Sequence, residues 1–357
     1  MTRIVVHIGP WKTATTYIQR GLFANADLLA RHGVYLPTAG RLELENNAVS
    51  HHHLAWELTG DRRFRSAVGG WDALTEELAG VDAETVLIAS EAFDPAITAA
   101  GAGDQLEQRL TALSDDVTIV YVVRDQLSLI NSTYGQLVKL FEEVGPFVPY
   151  VKRVLSSGEV DLERSYVPWI ESDVIDFVAI PLPQLLDGDP LAAFLRAARI
   201  DVPADELVTM DEPVNTSLGP VGVEATRLLA KYLRAVNPKF AASDMAARKL
   251  HRMAAAQART AGWCDDPYWG WPRGLAVAAA EQLEPSNQRF AHAAWGTDWS
   301  LPMPVDEPQA RVTLMSLTPV ELDTIHQYVA TMAQRYSRMR KQQQKQDNAA
   351  AEDSDDE

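Results

Sequence analysis

Apolar residues in this chain follow two rhythms. Short β-branched runs stop at polar or Gly-Pro breaks, and longer stretches repeat an apolar residue every three or four positions. Residues 2–8 form the first short run and end at Gly9-Pro10, which reads as a buried strand. Residues 13–30 follow, with Tyr17, Ile18, Leu22, Phe23, Leu28 and Leu29 at helical spacing. Further strands are predicted over 33–36, 86–89, 117–123 and 174–180, and helices over 71–78 and 126–141. Residues 117–123 (Val-Thr-Ile-Val-Tyr-Val-Val) carry the strongest strand signal. Strands alternating with helices predict an α/β fold: a doubly wound parallel sheet of about five strands, with helices on both faces. From about Leu191 onward the rhythm is mostly helical, with helices predicted over 221–236, 275–283 and 319–340. A loop rich in Trp, Gly and Pro, residues 263–272, interrupts it.

The chain has 357 residues and is 46% apolar, enough for a full core. One domain is expected over 1–340, with an α/β core over 1–190 and a mostly helical part over 191–340. Residues 341–357 hold six acids and two lysines in a polar, repetitive stretch, and a disordered acidic tail is expected there. A net charge of −17 argues against a nucleic-acid surface but leaves room for one small anion held by local donors. A single cysteine, Cys264, excludes an internal disulfide and a cysteine-built metal site. The first residues lack the long apolar run of a secretory leader, and no stretch has a spanning length, so a cytoplasmic address is expected.

Two stretches carry candidate chemistry. In the first, His7-Ile8-Gly9-Pro10-Trp11-Lys12-Thr13-Ala14-Thr15-Thr16-Tyr17, a strand ends, the chain turns sharply and a helix starts. The first amides of a helix have no partners within it and, with the helix dipole, attract an anion. Thr13, Thr15 and Thr16 add hydroxyls, and Lys12 adds a positive charge. This is not the Gly-Lys-Ser/Thr loop of nucleoside triphosphatases, because Trp11 precedes Lys12. In the second stretch, the strand 117–123 runs into Arg124-Asp125, and Ser132 follows in the next helix. An arginine at the carboxyl end of a central strand lies where open α/β sheets bind ligands, and its fork suits a phosphate monoester.

Together these stretches resemble the two donor-binding motifs of the sulfotransferases that use 3′-phosphoadenosine 5′-phosphosulfate, in their bacterial form. The match is specific over 4–25 and 117–139, looser over 85–93 and 151–180, and faint beyond, where Asn215-Thr216-Ser217 and Ser286-Asn287-Gln288-Arg289 have a similar look. The resemblance implies a P-loop-like sulfotransferase fold and sulfuryl transfer to a hydroxyl or amine of a small-molecule, glycan or lipid acceptor, with no metal. It implies that Lys12 touches the bridging oxygen of the donor. Thr13, Ala14, Thr15 and Thr16 would hold the 5′-phosphate, Tyr17 would stack on adenine, and Arg124 and Ser132 would bind the 3′-phosphate. Asp125 would be structural. The family glycine is Ala14 here, and the glycine-rich Arg-Lys-Gly element of cytosolic animal members is absent.

A base must still take the acceptor proton. Glu91, just past the strand 86–89, is the first candidate; His51, His52 and His53 are the alternatives. His7 is expected to be a core histidine, and the aromatic loop 263–272 to be packed inward by its rings. The rival functions are a metal-dependent P-loop kinase and a non-catalytic relic of the donor site, which the alanine at position 14 would permit.

Overall fold

The computed structural model describes residues 2–41, 48–99, 101–210, 217–242, 244–313 and 315–354. Five strands form one sheet: β1 (Arg3–His7), β2 (Val34–Tyr35), β3 (Thr85–Ala89), β4 (Val117–Val123) and β5 (Asp176–Pro181). Every neighbouring pair is parallel, and the order is β2-β3-β1-β4-β5. The helices between and after them are α1 (Thr15–Ala24), α2 (Ala26–Arg31), α3 (His52–Leu58), α4 (Trp71–Leu78), α5 (Phe93–Thr98), α6 (Ala102–Leu113), α7 (Gln126–Lys139) and α8 (Phe147–Ser157). They continue as α9 (Leu162–Ile170), α10 (Leu182–Leu185), α11 (Pro190–Ala197), α12 (Pro220–Val236), α13 (Met245–Thr260), α14 (Arg273–Trp295) and α15 (Pro319–Ser354).

Alternation along the strands explains the two layers of core. Ile4 and Val6 of β1, with Ile119 and Tyr121 of β4, pack on one face against Leu74 of α4 and Leu106 of α6. Val5, Val120 and Val122 point to the other face and meet Ile18 and Leu22 of α1 and Phe194 of α11. Successive side chains leave a strand on opposite sides, so a strand buried on both faces is apolar throughout. All seven residues of β4 are buried.

The chain divides into two compact units that the expected boundary near residue 190 does not follow. The first comprises Met1–Leu129, Ser157–Val214 and Ala280–Met303, and holds the sheet. The second comprises Ile130–Ser156, Asn215–Ala279 and Pro304–Glu357. Its core joins Leu229 and Leu233 of α12, Leu250 of α13, and Ile325, Tyr328 and Met332 of α15. Among the described residues no helix is long and apolar enough to cross a membrane.

Two expectations are revised. The helix expected over 13–30 is split at Asn25. The Asn25 side chain is buried and pinned to residue 208, donating to its carbonyl (3.1 Å) and accepting from its amide (2.8 Å). The expected disordered stretch 341–357 instead continues α15 through Ser354; residues 355–357 lie outside the described ones. Its Gln-, Lys- and Ala-rich composition favours helix once a packed segment has nucleated the turn.

Candidate functional site

The strand order creates one special crevice. From β1 the chain moves toward β2 and β3, and from β4 it moves toward β5. β1 and β4 are neighbours, so their carboxyl ends flank the point where the connections diverge, the usual ligand position in open α/β sheets. The two candidate stretches are the segments that follow these strands. They touch: Arg124 Nη1 donates to the carbonyl oxygen of Lys12 at 2.7 Å. Burial lowers the pKa of Arg124, yet a guanidinium stays charged at any ordinary pH.

The loop after β1 has an unusual backbone. Lys12 and Ala14 both have positive φ, 69° and 63°, while Thr13 between them is fully buried. Left-handed residues in a tight loop turn successive amides toward a common point, a concavity suited to an anion. Ala14 is also the N-cap of α1, and no side chain caps that terminus. The first helical amides therefore lack the usual side-chain acceptor. Thr15 is buried and Thr16 half-buried in the first turn. Gly9 is needed for close packing: a Cβ there would lie 2.8 Å from His7 Nε2. The Thr13 hydroxyl proton is committed to the Pro10 carbonyl at 2.6 Å, which staples the loop.

A second group forms at the end of β3. Glu91 Oε2 accepts from Gln19 Nε2 at 2.5 Å, and Glu91 Oε1 lies 3.7 Å from His52 Nε2. His52 Nδ1 meets the Ser90 hydroxyl at 2.7 Å, and that oxygen also accepts from the Ala92 amide at 3.1 Å. The Glu91 carboxylate near Nε2 favours the neutral tautomer with its proton there, in which Nδ1 accepts from the Ser90 hydroxyl. Burial pushes the His52 pKa down against the pull of Glu91, so the ring is neutral near pH 7. Gln19 lies one turn along α1 from Thr15. The carboxylate is therefore bonded to the helix whose N-terminus forms the candidate anion cradle.

The other expected residues fall in different places. Tyr17 packs against the second core layer, and its hydroxyl donates to Asp189 Oδ2 at 2.5 Å. Asp125 Oδ1 accepts from the Ser128 amide at 2.8 Å and caps the start of α7, a structural role. Ser132, farther along α7, belongs to the second unit. His51 is fully buried: its Nδ1 accepts from the Ala89 amide (3.1 Å), and its Nε2 donates to the Pro37 carbonyl (2.9 Å). His53 Nδ1 accepts from the Arg65 amide at 3.1 Å, and its ring packs on Trp56 and Phe64, away from the Glu91 group. His7 is a core histidine whose ring nitrogens have no hydrogen-bond partner among the described residues, and burial pushes its pKa down to about 4. In the aromatic loop Trp271 and Tyr268 are buried, as packing by their rings requires.

The sequence did not reveal the roles of two features. Gln19 and Ser90 flank the candidate base, and their only signal was position: one turn after Thr15, and next to Glu91. Segment 286–289 is a polar clasp within the first unit. Ser286 donates to Asp161 (2.6 Å), Asn287 and Gln126 bond reciprocally, Gln288 accepts from the Trp299 amide (3.1 Å), and Arg289 pairs with Glu163. Asn215 and Thr216, of the other segment with a similar look, lie outside the described residues. Among the described residues no three His, Cys, Asp or Glu side chains are grouped to hold a metal ion. No family model, curated protein or solved structure matches this chain.

Proposed function

We propose that this protein transfers a sulfuryl group from 3′-phosphoadenosine 5′-phosphosulfate to a hydroxyl or amine of a small-molecule, glycan or lipid acceptor. The observation that carries the reading is the Arg124–Lys12 contact at the divergence of the sheet connections. It ties two anion-seeking segments into one crevice, which suits a donor with phosphate at both ends of its nucleoside. The left-handed Ala14 also supports it, because the loop keeps a glycine-type backbone where the resembling family has glycine.

In this reading the amides around Lys12 to Thr16 hold the 5′-phosphosulfate, and Arg124 takes the 3′-phosphate on the guanidinium donors not used by Lys12. The acceptor oxygen or nitrogen attacks sulfur in line. A new bond to sulfur forms as the bond between sulfur and the bridging oxygen breaks, and adenosine 3′,5′-bisphosphate leaves. Lys12 neutralises charge building on that bridging oxygen. Glu91 takes the acceptor proton. His52 lies beside it, with Nε2 3.7 Å from Oε1, and in its neutral form sets no full counter-charge against the carboxylate. The donor is already activated, and the step asks for no metal.

Calorimetry of adenosine 3′,5′-bisphosphate without metal, beside ATP with magnesium, tests the reading. Binding of the bisphosphate and not of ATP is expected. Preference for ATP and magnesium would replace the reading with a kinase, and binding of neither would reduce the crevice to a relic.

A further inference from the structure

The last helix of the second unit has its charges sorted by sign. Residues 335–345 of α15 hold Arg335, Arg338, Arg340, Lys341 and Lys345 and no acid. Residues 347–357 hold Asp347, Glu352, Asp353, Asp355, Asp356 and Glu357 and no base. The basic half borders a groove of about 680 Å³ between α12 and α15. Tyr232 and Val236 of α12 line it and are 47% and 58% exposed, so apolar surface stands open there. Its charged lining is Arg338, Arg340 and Lys341, with no acid, in a chain of net charge −17. Asp244 offsets Arg340 at the Tyr336 hydroxyl. Arg338 and Lys341 are exposed and make no hydrogen bond or ion pair among the described residues.

A positive groove with an apolar flank takes an acidic segment, and this chain carries one. It cannot fill its own groove. α15 runs as one helix from Pro319 to Ser354, so Ser354 lies about 15 Å farther along the axis than Gln344, the last residue of the lining. Lys341, Gln342, Gln344 and Lys345 are exposed, so this part of the helix has little packing within its own chain. A helix without packing is marginal, and a partner helix supplies what is missing. The charges also fix the orientation. A parallel pair sets basic half on basic half, whereas an antiparallel pair sets each basic half on the other's acidic half. Counted from a midpoint between Gln346 and Asp347, equal steps along the chain lead to Lys341 and Glu352, to Arg340 and Asp353, and to Arg338 and Asp355.

We infer that two copies of this chain pair through α15, antiparallel, with the acidic residues 347–357 of each seated on the groove beside Arg338 and Lys341 of the other. The contact is two-fold and closed, since both copies give and receive the same segment. The inference does not rest on the sulfuryl-transfer reading, since every group it uses lies in the second unit.

The test is sedimentation velocity of the full chain across micromolar concentrations in physiological salt. A dimer that dissociates on dilution is expected. Arg338→Glu with Lys341→Glu sets acid against acid in both grooves and should weaken dimerisation about a hundredfold. Adding Glu352→Lys and Asp355→Lys reverses the seated segment as well and should restore the dimer. A chain that had merely lost its fold would not be rescued in this way. A monomer at every concentration overturns the inference and leaves the groove to an acidic segment of another protein. A dimer untouched by the groove reversal, or no recovery in the fourfold variant, overturns it as well.

Discussion

Arg124 donates a hydrogen bond to the backbone oxygen of Lys12, a residue 112 positions earlier, and so joins the segment after β4 to the loop after β1. The contact uses one of five guanidinium N–H groups and leaves a charged fork for a ligand. Arg124→Ala should therefore weaken adenosine 3′,5′-bisphosphate binding by about a hundredfold, through a lost charge-assisted pair. Adenosine 5′-monophosphate should lose only a few-fold, through the looser loop. Equal losses in calorimetry would remove Arg124 from the 3′-phosphate.

Lys12 is assigned to the leaving oxygen, where charge grows only as the bond breaks. Lys12→Ala should cut the transfer rate by about a thousandfold while changing bisphosphate affinity far less. A radiolabelled-donor assay beside calorimetry separates the two effects, and an unchanged rate would refute the role.

The backbone of the loop makes opposite predictions at two neighbouring sites. Ala14 has φ 63°, where a Cβ costs about 1 kcal/mol, so Ala14→Gly should raise the melting temperature by a few degrees. Gly9→Ala should lower it, because the new methyl would sit 2.8 Å from His7 Nε2, and a fully buried ring would have to shift. Calorimetric melts of both variants decide this.

Glu91 and His52 predict a pH profile. Burial lowers the His52 pKa, so the imidazole is neutral above about pH 6.5, the ordinary histidine value. Protonation on acidification would place a full positive charge beside Glu91 and lower its basicity. Turnover should thus fall on the acid side, and Glu91→Gln should suppress it at all pH values without loss of donor binding. Full activity in Glu91→Gln would shift the base to His52, and His52→Ala would then abolish transfer.

Asp94, which accepts from the Tyr166 hydroxyl, predicts a stability effect of definite sign. Burial raises its pKa from the ordinary value of 3.8 to about 6. The neutral acid is favoured in the fold, so its contribution is complete below pH 3.8 and is lost as the pH rises through 6. The loss is at most about 3 kcal/mol, reduced by the solvent that reaches this half-buried residue. Buried His7 and His51 act oppositely: their pKa values fall from 6.5 to about 4, and their contribution is lost on acidification through that window. Asp94→Asn keeps an acceptor for Tyr166 and removes the charge. Its stability relative to the unaltered protein, from urea unfolding, should rise between pH 4 and 7 and then level off. A flat difference would show that Asp94 does not titrate in that range.

The alternation of apolar runs determined the strands, their parallel pairing and the burial of β4, because each run must find apolar neighbours on both faces whatever its partners are. The break at Gly9-Pro10 with the threonines beyond it determined that a loop and a helix start follow β1. The inward packing of Trp271 was likewise legible, since a ring of that size has few other places to go. The sequence did not carry the order β2-β3-β1-β4-β5, the Arg124–Lys12 bond, or the meeting of Gln19, Ser90, His52 and Glu91. Nor did it reveal that the Thr13 hydroxyl staples its own loop. Hydrophobic rhythm and turn chemistry act between residues a few positions apart, so one strand or loop is enough to express them. Apart from the Thr13 staple, these meetings join residues tens to hundreds of positions apart, and only the assembled sheet and packed helices bring those together.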